Sequence, residues 1–161
     1  MRAKSTVVCG AILCAVASGM VFAAPRASSR QAQGAEEPVP AFHNEAPQGK
    51  LPETLSPSQF SSVVIQNAYI LAARVKKVLY QQPCYCHCDR SQGHTSLLDC
   101  FASTHGAGCG VCIREAIYSY EQSHKGKTAA QIRTGIERGE WQHVDMSKYQ
   151  TPVSGTAQHL H

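Results

Sequence analysis

Three cysteines stand at alternate positions in the run PCYCHC: Cys84, Cys86 and Cys88, directly behind Pro83. Nothing else in the chain constrains its fold as much. In an extended strand, alternate side chains share one face about 6.6 Å apart, at roughly 3.3 Å per residue. Thiolates on one tetrahedral zinc lie only about 2.3 Å from the metal, so the run must curl if it chelates. A disulfide between such near neighbours would close a small, strained ring that is easily reduced. The triplet therefore needs partners from elsewhere, and the fold has to carry them to it.

The supply of partners is short. Of eight cysteines, Cys9 and Cys14 lie in MRAKSTVVCGAILCAVASGMVFAAP, where Arg2 and Lys4 precede an uncharged, mostly apolar run. With Val21 and Ala23 at the −3 and −1 positions, this segment reads as a signal peptide, residues 1–23, cleaved after Ala23. The competing reading, a membrane anchor, is disfavoured because the run is near the short limit for a span and a permissive cleavage site follows it. Val8 and Leu13 are too bulky to precede lipid-modified cysteines. The expected location is thus extracytoplasmic, periplasmic or secreted, with no membrane span after cleavage. Six cysteines then remain, and in an exported chain that even number makes a three-disulfide framework a serious alternative.

Loss of Arg2 and Lys4 lowers the formal charge from +4 to +2. The residual charge is small and evenly spread, with no basic stripe interleaved with aromatics, which argues against nucleic-acid binding. Residues 24–54 are rich in Pro, Ala, Gln, Gly and Glu without an apolar period, and read as a disordered tether. Residues 142–161 read as a flexible tail. One small domain, residues 55–141, is left, and a core of that size gains from cross-links or metal.

Within it, Ser56 and Pro57 suit a helix start. Phe60, Val64, Ala68, Leu71, Val75 and Val78, spaced by threes and fours, predict one long amphipathic helix, with Ile65, Tyr69 and Ala72 widening its face. Pro83 should end it at Gln82, so the cysteine run begins where the longest helix stops. Thr95 is expected to cap a short helix over SLLDCFAS. A third helix should start near Cys109, burying Ile113, Ala116, Ile117 and Tyr120. Gly126 should end that helix, and Thr128 should cap a last one carrying Ala129, Ile132 and Ile136. No segment alternates as a strand does. The expected fold is all-α, a bundle of three to four helices with a Cys-rich loop.

Cys109-Gly-Val-Cys112 is a CxxC entering a helix, where free amide groups and the macrodipole favour thiolate. Without βαβ surroundings it is not a thioredoxin site. Ile113 occupies the place where c-type haem attachment needs histidine, and a zinc ribbon would need a second CxxC. Of the nearby histidines, His105 sits in a Gly-rich loop that could swing its imidazole to a shared metal. His87 and His94 read as exposed or packed side chains, and His159 and His161 as part of the tail. Glu115 is expected as a helix-surface charge and Asp99 as a local hydrogen-bonding group.

PCYCHC, then GHTSLLDC, HGAGCGVCIREA and KTAAQIR, together resemble the bacterial exported proteins named for a PCYCGC motif, also called the CYCXC family of proteins and selenoproteins. The resemblance runs from Gln82 to Trp141. Cys84, Cys86 and Cys88 match the triplet, Cys100 the following cysteine, and His105, Cys109, Cys112 and Glu115 the His-x3-Cys-x2-Cys-x2-Glu segment. The family carries no established activity. Many relatives have glycine in place of His87, many are lipoproteins, and the selenoproteins among them imply redox or soft-metal chemistry.

Three readings follow. In the first, the protein binds a thiophilic ion such as Cu(I) or Zn(II) through Cys84, Cys86, Cys88, Cys100, Cys109 and Cys112, with His105 auxiliary. In the second it is a thiol–disulfide redox protein serving a partner protein, in which Cys109, the better nucleophile, and Cys112 cycle together with the strained triplet. In the third, structural disulfides staple a helical binding domain. No carboxylate pair, serine triad or phosphate loop offers a rival catalytic chemistry.

Overall fold

The computed structural model describes residues 37–153. The expected signal peptide with Cys9 and Cys14, the first part of the tether, and His159 and His161 lie outside the described residues. Every described element is helical, with no strand among the described residues, as expected.

Three helices have nine residues or more: α1 (Val63–Arg74), α6 (Gly110–His124) and α7 (Ala129–Glu137). Four short ones, α2 (Lys76–Leu79), α3 (Cys88–Gln92), α4 (Leu97–Phe101) and α5 (His105–Gly108), shape the loops between them. α1 and α6 form the central pair, and α7 packs on α6. Ala68, Leu71 and Ala72 of α1, Ala116 and Ile117 of α6, and Ile132 and Ile136 of α7 are buried in one core. Thr128 closes a full capping box with Gln131 at the start of α7, and Gly126 ends the preceding helix at φ 78°, a backbone geometry that glycine adopts freely. At Gly135 an added Cβ would collide with the Tyr118 ring and hydroxyl, so α7 approaches α6 closely there.

The long first helix is shorter and broken. Ser56 bonds the Ser58 hydroxyl at 2.8 Å rather than a helix amide, and Pro57–Gln59 form only a 3-10 turn. Extended backbone at Phe60 then lays its ring on Tyr69, with centroids 4.3 Å apart, and α1 starts at Val63. At Val75 the backbone leaves helical geometry before α2 resumes. No proline or glycine marks this break, and Val75 and Leu79 are both buried. The helical stretch ends at Leu79, earlier than the Gln82 expected from Pro83, and the turn bonds Gln81 N to Val78 O and Gln82 N to Leu79 O lead on to the proline.

The described parts of both segments expected to be soft, residues 37–54 and 142–153, lie packed on the helices. Asn67, buried in α1, donates to the carbonyls of Tyr149 and Thr151 at 2.9 and 2.8 Å and accepts from Val153 N at 3.0 Å. One buried amide thus satisfies three backbone groups of the C-terminal segment, which offsets the cost of burying them. At the other end, His43 stacks on Tyr80 at 3.9 Å, and Arg133 lies over Phe42 at 4.4 Å. Neither segment has a core of its own, so composition alone points to disorder. Each is held by the surface the helices provide. No described helix is long and apolar enough to cross a membrane.

Candidate metal centre

The end of α2, the start of α4 and the start of α6 converge on the cysteine run. Leu97 N donates to the Gln82 carbonyl at 2.9 Å, which ties the residues before the triplet to the helix that carries Cys100. The triplet itself curls. His87 N bonds the Cys84 carbonyl at 3.0 Å, and His87 takes φ 55°, the one left-handed non-glycine residue among those described. This turn draws Cys84 and Cys86 to 3.4 Å, sulfur to sulfur.

All six cysteines come together as expected, as free thiols. Cys84 Sγ lies 3.3 Å from Cys112 Sγ, Cys86 lies 3.6 Å from Cys112, and Cys88 lies 3.4 Å from Cys100. His105 joins them, with Nε2 3.4 Å from Cys86 Sγ. Its place depends on Gly106, where an added Cβ would stand 2.8 Å from the Cys100 carbonyl oxygen. The Tyr69 hydroxyl holds the same loop, donating to Ser103 O at 2.7 Å and accepting from Ala107 N at 3.1 Å.

Two sets of donor atoms are each compact enough to hold a metal ion: Cys86, His105, Cys109 and Cys112, and Cys84, Cys88 and Cys100, all within 4.8 Å of one another in each set. Sequence reasoning passed over His94, whose Nδ1 is 3.4 Å from Cys100 Sγ and whose ring stands edge-on to His105 at 5.2 Å. Its only sequence signal was its place between two cysteines, six residues after Cys88 and six before Cys100.

Glu115 corrects another expectation: it is fully buried, not a surface charge. Standing three residues after Cys112 on α6, it shares the inward face of that helix, the signal that could have revealed it. Oε1 accepts from Tyr85 N at 2.9 Å, and Oε2, with no nitrogen or oxygen partner, lies beside the Cys84 thiol. Burial pushes the carboxyl well above its ordinary range. Asp99 behaves as expected, accepting from Thr95 N and Oγ1 at 2.7 and 2.9 Å; Ser96, not Thr95, is the N-cap residue of α4.

Thiols this close cannot all ionise together, so they divide protons among themselves. Hydrogen bonds with Cys100 and then Cys112 push Cys84 up, and those with Cys112 do most to raise Cys100. The charge goes to Cys88 and Cys112, each stabilised first by Cys100, with Cys112 pulled down to about 3. Cys84 lowers Cys86, and that thiolate in turn raises the His105 imidazole. Burial pushes Cys109 up to about 12. α6 does begin beside Cys109, but burial opposes its ionisation, and Cys112, the thiol held low, is fully buried.

No curated protein and no solved structure matches the chain. A family model, described as a protein of unknown function with PCYCGC motif, matches residues 28–153, well over half of the chain. Pro83–Cys88 carry that motif with His87 in the place of its glycine, the residue type that a left-handed backbone favours. The chain belongs to the PCYCGC-motif family.

Proposed function

We propose that this chain is an exported module that binds a thiophilic metal ion, Zn(II) or Cu(I), through its pooled thiolates. One observation carries the reading: the sulfurs gather in a single pool with neighbours 3.3–3.6 Å apart. Thiolates around a tetrahedral zinc, at about 2.3 Å from it, stand about 3.8 Å from each other, whereas disulfide sulfurs are about 2.05 Å apart. The pool lies between the residues after α2, α4 and the start of α6, so an ion there would tie these three helices together. A stapled scaffold would gain more from bridges spread through the body than from thiols crowded in one place. Against the redox reading stand the raised Cys109 thiol and the fully buried Cys112, since disulfide exchange needs an accessible thiolate.

The test is anaerobic titration of the reduced protein with Zn(II) and with Cu(I), followed by thermal melting. Metal that binds the folded state and not the unfolded one raises the melting temperature. A melting temperature unmoved by either ion would refute the reading.

A further inference from the structure

We propose that the thiol pool is a centre for two ions with unequal halves: Cys84, Cys88, Cys100 and His94 hold one ion that stays, and Cys86, Cys109, Cys112 and His105 hold a second that exchanges. This deepens the metal-binding reading and rests on it. The donors divide without remainder. One half is compact with three thiols and one imidazole, the other with three thiols to which His94, beside Cys100, would add the imidazole of a Cys3His tetrahedral site, and no described cysteine is left over. His94 reaches Cys100 through Nδ1, as His105 reaches Cys86 through Nε2, both at 3.4 Å. Cys84 is the seam between the halves. Its sulfur stands 3.4 and 3.3 Å from Cys86 and Cys112 across the boundary.

The halves differ in cover rather than in chemistry. Cys84, Cys88 and Cys100 are 3%, 2% and 0% exposed. Pro40 and Ala41, in the segment Pro40–His43, wall a crevice beside Cys84, Cys88 and His94 with no room for a water molecule. Three contacts fasten this strap: Ala41 N on Asp89 Oδ2 at 3.2 Å, His43 Nε2 with Thr95 Oγ1 at 3.2 Å, and the His43–Tyr80 stack. In the other half only Cys112 is buried, and Cys86, Cys109 and His105 are each partly exposed. An incoming ligand must reach the ion or its donor atoms to displace it; in the first half only His94 is partly exposed, whereas in the second three of the four donors are.

The experiment loads the reduced full chain with two equivalents of Zn(II) and adds excess of the chromophoric chelator 4-(2-pyridylazo)resorcinol. Two phases of one equivalent each are expected, with rates at least tenfold apart. His105→Ala removes the fast phase and keeps the slow one. His94→Ala removes the slow phase, and His94→Cys, which restores a donor, recovers it; a merely structural role for His94 would not be rescued in this way. A single phase, one equivalent in total, or a slow phase that survives His94→Ala overturns the proposal while leaving metal binding intact. Failure to retain any zinc overturns both.

Discussion

The two donor sets each bring three thiols together and touch through Cys84, yet the thiols of one, the sealed set, are buried and most donors of the other, the open set, are partly exposed. The sealed set takes its ligands from the residue after Pro83, the first turn of α3 and the buried face of α4, with Pro40 and Ala41 of the Pro40–His43 strap beside it. The open set lies where α5 meets α6, with Cys109 at the cap of α6 and Cys86 at the outer edge of the curl. The contrast teaches that metal chemistry is set by residue identity, while metal residence is set by what packs on top. Here the cover comes from a segment whose composition resembles a linker.

The largest effect should separate the sets directly. Cys100→Ser removes a donor from the sealed set and leaves a polar hydroxyl in its place. In the zinc-loaded protein it should lower the melting temperature by more than about 10 °C, whereas Cys109→Ser should cost less than half as much. Equal losses, read by circular dichroism melts, would break the comparison. Next in size is the strap. His43→Ala deletes the stack on Tyr80 and the bond to Thr95, a loss of about 1 kcal/mol. It should speed zinc release from the sealed set several-fold and leave release from the open set unchanged. Acceleration of both would mean that the strap does not act as a cover.

A smaller effect follows from Glu115. Its folded-state pKa is raised well above the ordinary 4.5, so the unfolded chain gives up this proton at lower pH than the folded one. Its contribution to metal-free stability is therefore fully present below pH 4.5 and is lost as pH rises towards the folded value. Glu115→Gln keeps an acceptor for Tyr85 N and has no carboxyl to ionise. Its stability relative to wild type should grow from pH 4 to pH 8 in urea unfolding of the metal-free protein. A constant difference would show that Glu115 is not held neutral. The smallest effect concerns His87. A left-handed backbone costs a side chain roughly 1–2 kcal/mol, and the Glu37 partner of His87 is 70% exposed, so that ion pair contributes little. His87→Gly should leave stability within about 1 kcal/mol of wild type, and His87→Val should lower it by more.

Much of this was legible from local pattern. The apolar spacing within α1 and α6, Thr128 as a cap and Gly126 as a stop are short-range signals that hold, although the first helix starts later, breaks at Val75 and ends before Gln82. The convergence of all six cysteines was legible because few other partners existed. What sequence hid depends on tertiary contacts. The break at Val75 has no breaker residue to announce it. The soft composition of residues 37–54 and 142–153 reflects the lack of an internal core, while Asn67, Tyr80 and Arg133, distant in sequence, supply the surfaces that hold them. Glu115 read as a charge because acidic residues on helices usually face water; only the neighbouring Cys84 and Tyr85 explain its burial. His94 had no signal beyond proximity, since nothing in a loop sequence states where an imidazole will reach.

The most direct test of the central claim is intact-mass spectrometry of the chain lacking residues 1–23, purified without reductant or chelator and run under native and then denaturing conditions. The account predicts a native mass carrying two metal ions and a denatured mass corresponding to six free thiols. A denatured mass lower by six hydrogens, with no metal in the native spectrum, would contradict it and return the cysteines to disulfides.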